Sequence, residues 1–176
     1  MTHWGMSGPG IIKLSAWNAR SLFEAGYRTA LYVNWLPHVD IDVLKERVAE
    51  FQGNHPKKGV GSQSPFFEIP TRLWAYLIEK TKVSAQTLWK QINSKQIDRL
   101  VQELSEGVFA IAGKGTFKEE FVTCGGVSLK EVNFKTMESK VCPGLYIIGE
   151  LLDIDGVTGG FNFQNAWTTG FLSGSG

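Results

Sequence analysis

Four consecutive apolar residues, Leu145-Tyr146-Ile147-Ile148, lead directly into the segment GELLDIDGVTGGFNFQNAW, residues 149–167. A short run of this kind is typical of a strand that is buried on both faces of a parallel sheet. Such a strand needs neighbours, and parallel neighbours are joined by long crossover connections that usually contain a helix. The 176 residues show no second strand–helix unit of this kind. Residues 131–176 are therefore expected to be the end of a larger α/β sheet.

The segment after this run combines backbone freedom with negative charge. Residues 149–167 carry four glycines, three acids and no lysine or arginine. Ligands of open α/β sheets bind beyond the carboxyl ends of the strands, which is the position that Gly149 would hold. Gly159 and Gly160 can adopt positive φ and let a ligand approach the bare backbone just before a predicted closing helix, residues 161–172.

Two interpretations of this segment remain open from the residues alone. In the first, the unpaired N–H groups and partial positive charge of the helix N-terminus suit a phosphate or an electron-rich flavin carbonyl. The carboxylates of Glu150 and Asp153 would then accept hydrogen bonds from sugar hydroxyls. In the second, the segment is a glycine-rich surface turn with solvated acids. The order of strand, acid, double glycine, polar Asn162 and helix favours the first interpretation.

Hydrophobic spacing divides the rest of the chain into three parts. A helix within residues 7–26, with Ser7 as its cap, and a strand at residues 29–36 come first. Residues 38–106 predict four short helices that each bury one face and pack as a small bundle. Their apolar positions are Ile41, Leu44, Val48 and Phe51, then Leu73, Trp74, Leu77 and Ile78, then Leu88 and Ile92 after a cap at Ser84, and finally Ile97, Leu100, Val101 and Leu104 after a cap at Ser94. Further strands are predicted at residues 108–112, 119–124 and 127–132.

The composition excludes several classes of partner. Lysine and arginine number 18 against 17 acids, so no basic surface for nucleic acid is expected. No apolar run is long enough to span a membrane, and MTHWGMSGPG is not a signal peptide. The cysteines are Cys124 and Cys142, which form neither a disulfide framework nor a metal-binding cluster. A cytoplasmic protein without a metal is expected, with both thiols free.

Four stretches stand in the order that one family of flavoproteins shows. They are THWGMSGPGIIKLS at residues 2–15, VTCGGVSLKEV at 122–132, TMESKVCPGLY at 136–146 and LYIIGELLDIDGVTGGFNFQNAWTTG at 145–170. Together they resemble the BaiN-type, or aminoacetone-oxidase-like, family of NAD(P)/FAD-dependent oxidoreductases. The resemblance is dense at both ends of the chain and thin through the helical middle.

The resemblance implies an α+β fold, because this family has a glutathione-reductase-like FAD domain that is interrupted by an insert. The insert combines a small β-barrel with a helical bundle. By this resemblance, residues 1–36 and 107–130 form part of the insert barrel, and residues 38–106 form the inserted helical subdomain. Residues 131–176 are then the C-terminal strand, loop and helix of the FAD domain.

One motif of the family has no counterpart in this sequence. Family members begin with a strand, a G-x-G-x-x-G turn and a helix that hold the FAD pyrophosphate, whereas Gly113 and Gly115 do not precede a helix at that spacing. The chain is therefore expected to be a fragment that lacks roughly the first half of the enzyme.

The resemblance implies FAD as cofactor and assigns roles to several residues. Gly149 and Glu150 would meet the ribityl or phosphate part of FAD, and the helix N-terminus would stabilise negative charge on the reduced ring. Asp153 would contact the cofactor or orient the loop. The residues expected to present backbone N–H groups to the flavin are Gly159, Gly160, Phe161 and Asn162. Residues given a minor role or an ordinary structural one are His3 at the substrate cavity, Thr158 as a helix cap, Gln164 in the first helical turn, and Cys124 and Met137 near the Gly125-Gly126 turn.

Two functions remain open at this point, and the catalytic residues are unknown. The first is an FAD-dependent oxidoreductase that acts on a small organic substrate, either oxidising an amine or reducing an activated alkene with NAD(P)H. The second is a non-catalytic binding or assembly module with a relic flavin loop. In either case, apolar surface left by an incomplete FAD domain would favour self-association.

Overall fold

The computed structural model describes residues 5–115, 122–157 and 159–175. Within these ranges the chain is α+β, as the sequence predicts. The helices are α1 (Pro9–Trp17), α2 (Ala19–Glu24), α3 (Ile41–Asn54), α4 (Thr71–Lys80), α5 (Ser94–Glu106) and α6 (Phe161–Gly174), and the strands are β1 (Thr29–Val33), β2 (Gly107–Ile111), β3 (Val132–Asn133) and β4 (Glu138–Ser139). The chain divides into two compact units, Ala30–Ile111 and the pair of segments Met1–Thr29 and Ala112–Gly176.

The unit Ala30–Ile111 is a small helical bundle with a two-stranded sheet, β1 beside β2. Most of the apolar positions of α3, α4 and α5 meet in one core, as their helical spacing predicts, whereas Ile41 at the start of α3 is 54% exposed and lies outside it. Trp74 and Trp89 are fully buried at its centre, and the indole Nε1 of Trp74 donates to the carbonyl of Val60 across 2.7 Å. The side chains of this core are Leu36, Leu44, Val48, Val60, Phe66, Ile69, Trp74, Leu77, Ile78, Val83, Trp89, Ile92, Leu100, Val101 and Leu104.

Helix α5 begins with a reciprocal cap. The side chain of Asn93 accepts a hydrogen bond from the Gln96 N–H at 3.0 Å, and the Gln96 side chain accepts one from the Asn93 N–H at 3.0 Å. Two otherwise unpaired N–H groups are thereby satisfied. The prediction of Ser94 as the cap was therefore wrong by one residue, because Asn93 has the side chain that reaches back to the helix.

The third helix predicted for this unit does not form. Residues 84–92 contain only a short 3₁₀ turn, Trp89–Gln91. Their backbone is bonded instead to the preceding loop: Trp89 N–H donates to the Lys58 carbonyl at 3.0 Å and Val60 N–H to the Thr87 carbonyl at 2.8 Å. The loop fits closely because Gly61 has no side chain; a Cβ there would lie 2.5 Å from that of Ala85.

The second unit contains α1, α2, the β3–β4 pair and α6. Its small core consists of Val132, Met137, Ile147 and Leu152, against which Val127, Ile154 and Leu172 pack. Met137 is fully buried and has φ of 62°, so it is an ordinary core methionine in a left-handed turn. In the described residues the strands form two two-stranded sheets without a closed barrel.

The prediction of a regular buried strand at residues 145–148 was wrong. The segment lies antiparallel beside β4 through one isolated bridge, between Tyr146 and Glu138. Only Ile147 is buried, whereas Leu145 and Tyr146 are 49% and 48% exposed. An apolar run predicts burial on both faces, but the described residues supply a neighbour on one side only.

The first predicted helix is two helices, which are separated at Asn18. Its N-cap is Gly8 rather than Ser7, and no side chain caps it. Residues 122–126 are not a strand, and 127–132 contain a 3₁₀ turn, Leu129–Glu131, between a bridge at Val127 and β3. The rest of the strand predicted from residue 119 lies outside the described residues, as do His3 and Thr158.

Two further properties concern the described ranges alone. None of their helices combines the length and the apolar character needed to span a bilayer. They also contain no group of three or more His, Cys, Asp or Glu side chains placed to share a metal ion.

Candidate cofactor site

The glycine-rich segment forms a loop that ends at the N-terminus of α6. It starts with a 3₁₀ turn, Gly149–Leu151, and reaches α6 through Gly159 and Gly160, whose φ values are 116° and 96°. A side chain is strained at such φ values, so these two positions need glycine for conformational reasons. Apart from their chain neighbours, no atom of the described residues lies within 4 Å of where a Cβ would stand on either glycine, so this approach to the helix is open.

The N-terminus of α6 offers unpaired donors. Its N-cap is Gly160 in the left-handed conformation, and no side chain of the described residues accepts a hydrogen bond from the first turn. Among the described residues, the backbone N–H groups of Phe161, Asn162 and Phe163 have no acceptor. These donors and the partial positive charge of the helix end fit a carbonyl or phosphate oxygen of a dinucleotide.

Gly149 is fixed to α6 by two side chains. Its N–H donates to the hydroxyl of Thr169 at 3.0 Å, and its carbonyl accepts a hydrogen bond from the Asn165 side chain at 3.2 Å. Gly149 is buried with φ of 60°, and a Cβ there would lie 3.5 Å from that of Ala166. The start of the loop is therefore held against the helix by polar contacts as well as by packing.

Gly156 is fixed to α6 by one side chain that makes two bonds. Its N–H donates to Asn162 Oδ1 at 2.7 Å, and Asn162 Nδ2 donates to its carbonyl at 3.0 Å. A Cβ on Gly156 would lie 2.9 Å from the Cβ of Phe161. The side-chain amide of Asn162 thus uses both its oxygen and its nitrogen to bind the loop, whereas its backbone N–H has no acceptor among the described residues.

Asp153 has a cationic partner. Arg20 Nη2, on α2, lies 2.6 Å from Asp153 Oδ1. The hydrogen bond to Asp153, with a smaller contribution from Cys124, raises the pKa of the Arg20 guanidinium further above its ordinary value. The Asp153 carboxylate is therefore already paired within the chain, whereas Glu150 is exposed.

The Gly125-Gly126 turn packs on the start of the same loop. Val127 N–H donates to the Leu151 carbonyl at 2.7 Å, and Asp153 N–H donates to the Val127 carbonyl at 3.0 Å. A Cβ on Gly126 would lie 2.5 Å from the Leu152 carbonyl carbon. The close backbone approach that Gly126 permits is thus made by the chain itself.

The structure gathers the seven predicted cofactor residues around one loop and helix end, although their roles differ. Gly149 is buried and serves as an anchor, and Asp153 is paired with Arg20. The exposed residues are Glu150, Gly159, Gly160 and Phe161, and the backbone N–H of Asn162 has no acceptor among the described residues. Contact of these residues with FAD stays a prediction.

Three residues of the site were not predicted from the sequence. Arg20 has no local signal, because its partner is 133 positions away. Asn165 and Thr169 do have one: with Asn162 they recur at spacings of three and four along a helix that is otherwise rich in apolar residues. Polar residues at such spacing indicate a helix face that contacts something polar.

A glycine-rich approach to a helix N-terminus at the end of an α+β unit is a feature of dinucleotide-binding domains. Residues 13–176 match the family model described as HI0933-like protein Rossmann domain. The chain therefore belongs to the HI0933-like family of flavoproteins, which confirms the family expected from the four sequence stretches. FAD is the cofactor of this family.

Three curated relatives are similar to the chain. It is 31% identical over 168 residues to a ribosomal RNA dihydrouridine synthase of Escherichia coli, covering 96% of the chain and 39% of the relative. It is 29% identical over 176 residues to a 3-dehydro-bile acid delta(4,6)-reductase of Clostridium scindens, covering 99% and 42%. It is 31% identical over 176 residues to a ribosomal RNA dihydrouridine synthase of Haemophilus influenzae, covering 97% and 39%. The chain thus spans less than half the length of these relatives.

Proposed function

We propose that this chain supplies the C-terminal flavin-contacting loop and a helical insert to an FAD-dependent oxidoreductase. The observation that carries the proposal is the open N-terminus of α6, where three backbone N–H groups have no acceptor among the described residues. Two glycines with positive φ precede it, in a chain of a flavoprotein family. We further propose that β1 and β2 belong to the barrel part of the insert and that residues 131–176 belong to the FAD domain.

The groups that would hold the cofactor are the backbone N–H groups that have no acceptor among the described residues. The N–H groups of Phe161, Asn162 and Phe163 would donate to a carbonyl edge of the flavin or to a phosphate. When bound, FAD supplies the transfer of a hydride or of electrons between a nicotinamide and the substrate. The helix end favours the reduced, more negative ring and so favours its formation. Because Asp153 is paired with Arg20, its proposed role is to hold the loop rather than to bind ribose.

The reaction that we propose is reduction of a carbon–carbon double bond conjugated to a carbonyl group. The names of the relatives support it: dihydrouridine is uridine with its ring double bond saturated, and the other relative is named as a delta(4,6)-reductase. Of the two reactions open from the sequence, this favours alkene reduction over amine oxidation. The proposed carrier of the double bond is a small organic molecule in the cytoplasm. The chain's net charge of only +1 gives it little electrostatic attraction for a nucleic acid.

Flavin binding by this chain is the first experiment. FAD is titrated with the purified protein, and binding is followed by quenching of flavin fluorescence. Gly160→Ala is expected to weaken binding by about tenfold, because a side chain at φ of 96° is strained and shifts the N–H groups behind it. Gly113→Ala is the matched control, since a Cβ there meets nothing within 4 Å and its φ is not positive.

The reaction is tested with the product of the complete open reading frame. Oxidation of NAD(P)H is measured with an α,β-unsaturated ketone, with free uridine and with ribosomal RNA, each against its saturated counterpart. Turnover with the ketone alone supports the proposal. Turnover with RNA alone would contradict the proposed small substrate and show that the substrate is a nucleic acid. A product that binds no FAD and oxidises no NAD(P)H would instead favour the non-catalytic module.

A further inference from the structure

One polar face of α6 holds both ends of the loop formed by residues 149–156. Asn162, Asn165 and Thr169 are separated by three and four positions, so their side chains lie along the same side of the helix. Asn162 binds Gly156, while Asn165 and Thr169 bind Gly149. All four contacts are between a side chain and a backbone peptide group.

The contacts are specific for the backbone at both ends. Each glycine uses both its N–H and its carbonyl: Gly149 donates at 3.0 Å and accepts at 3.2 Å, and Gly156 donates at 2.7 Å and accepts at 3.0 Å. Thr169 is only 6% exposed, and its hydroxyl in turn donates to the Asn165 carbonyl at 2.7 Å. The direction of this chain of hydrogen bonds is thereby defined.

We propose that Asn162, Asn165 and Thr169 are positioning residues that fix this loop on α6 before any cofactor binds. The identity of the ligand rests on the proposed function, whereas the attachment of the loop does not. A loop that is already ordered loses less conformational entropy when a ligand binds, so its exposed groups contribute more to affinity. Asn162 thus acts on the cofactor through the loop that it holds, in addition to presenting its own N–H.

Amide hydrogen exchange of the flavin-free protein tests the proposal directly. The exchange rates of the Gly156 and Gly149 N–H groups are measured by NMR in the wild type and in four variants. Asn162→Ala removes the acceptor of Gly156 N–H, so exchange there is expected to accelerate about tenfold or more. Asn162→Asp keeps an acceptor and is expected to restore most of the protection. Thr169→Val removes the acceptor of Gly149 N–H in the same way, and Thr169→Ser restores it.

The control lies on the same helix. The Gln164 side chain is exposed, and within the described part of the chain it donates only to the Thr168 hydroxyl, at 2.9 Å. Gln164→Ala is therefore expected to leave the exchange of both glycines unchanged. Equal exchange in wild type, Asn162→Ala and Thr169→Val would overturn the proposal. So would a loss of protection in Asn162→Asp as large as in Asn162→Ala, since that would show a loss of packing rather than of a hydrogen bond.

FAD titration of the same variants separates this proposal from the proposed function. If the wild type binds FAD, Asn162→Ala is expected to weaken binding by about tenfold, and Asn162→Asp by less. If the exchange results are as expected and the wild type binds no FAD, the attachment of the loop stands and its proposed ligand is wrong. If exchange is unaffected, the positioning role is wrong whatever the flavin result.

Discussion

The guanidinium of Arg20 donates to the carboxylate of Asp153 across 2.6 Å, although the two residues are 133 positions apart in the chain. The pair joins α2 to the loop that leads to α6. Both partners retain solvent contact, with side chains 65% and 31% exposed. An exposed pair of this kind contributes little to global stability, so its effect is expected on the local geometry of the loop.

A double-mutant cycle tests whether Asp153 acts through Arg20. Arg20→Ala and Asp153→Asn are each expected to weaken FAD binding by about two- to fivefold. The double variant is expected to lose no more FAD affinity than the single variant with the larger loss. Additive losses would show that Asp153 contacts the cofactor independently. Lys13→Ala, which removes an exposed cation on α1, is the control and is expected to have no effect.

The pH dependence of the pair follows from the raised pKa of Arg20. A base with a raised folded-state pKa contributes stability that is fully present below its unfolded pKa, and the contribution is lost only as pH rises through the raised value. For arginine that range is far above neutral pH. The effect of Arg20→Ala on FAD affinity is therefore expected to be the same at neutral and mildly alkaline pH. A loss of the effect between these conditions would indicate that a different group titrates.

Gly126 is expected to tolerate no side chain. A Cβ would stand 2.5 Å from both the carbonyl carbon and the carbonyl oxygen of Leu152, and backbone atoms cannot move aside as a flexible side chain can. Gly126→Ala is therefore expected to lower the free energy of unfolding by about 1–3 kcal/mol. Gly113→Ala is the control, with no expected loss. Urea unfolding of both variants checks the prediction, and equal midpoints would contradict it.

Local signals allowed much of the fold to be predicted. The spacing of Leu100, Val101 and Leu104 defined α5, and the closing helix was predicted at its observed start, Phe161. The helix predicted at residues 84–92 does not form, because the backbone hydrogen bonds of this segment go to a distant loop, which no local sequence pattern encodes. The strand predicted at residues 145–148 failed for a related reason: apolar composition does not specify which neighbours a chain provides.

Some residues of the candidate site could likewise be predicted from the sequence, and others could not. Its glycines were predictable because positive φ before a helix restricts the residue type, and Gly159 and Gly160 have it. Arg20 was not predictable, since a contact across 133 positions leaves no spacing to detect. The domain boundaries proposed from the family resemblance stay a prediction.

Two buried tryptophans allow one hydrogen bond to be measured. Trp74 and Trp89 are both fully buried, but only Trp74 has an acceptor for its indole N–H, the Val60 carbonyl at 2.7 Å. Trp89 Nε1 has no partner in the described part of the chain. Trp74→Phe is expected to cost about 1–2 kcal/mol more free energy of unfolding than Trp89→Phe, because it leaves a buried carbonyl unpaired. Equal losses by thermal or urea unfolding would show that the bond contributes nothing beyond packing.

The exposed aromatic face of α6 predicts self-association of this chain. Phe163, Trp167 and Phe171 recur at intervals of four, so they share one side of the helix, and they are 68%, 69% and 72% exposed. Phe163 and Trp167 stack with ring centroids 6.1 Å apart, which forms a continuous apolar surface. A surface of this kind is stabilised when it is covered, and a second copy of the chain presents a matching one.

Light scattering is expected to show a concentration-dependent dimer that Trp167→Ser weakens by about tenfold or more, since burial of an aromatic side chain contributes roughly 1.5–3 kcal/mol. Gln164→Ala, a polar change on the same helix, is expected to leave the dimer intact, whereas a wild type that stays monomeric at high concentration would contradict the prediction.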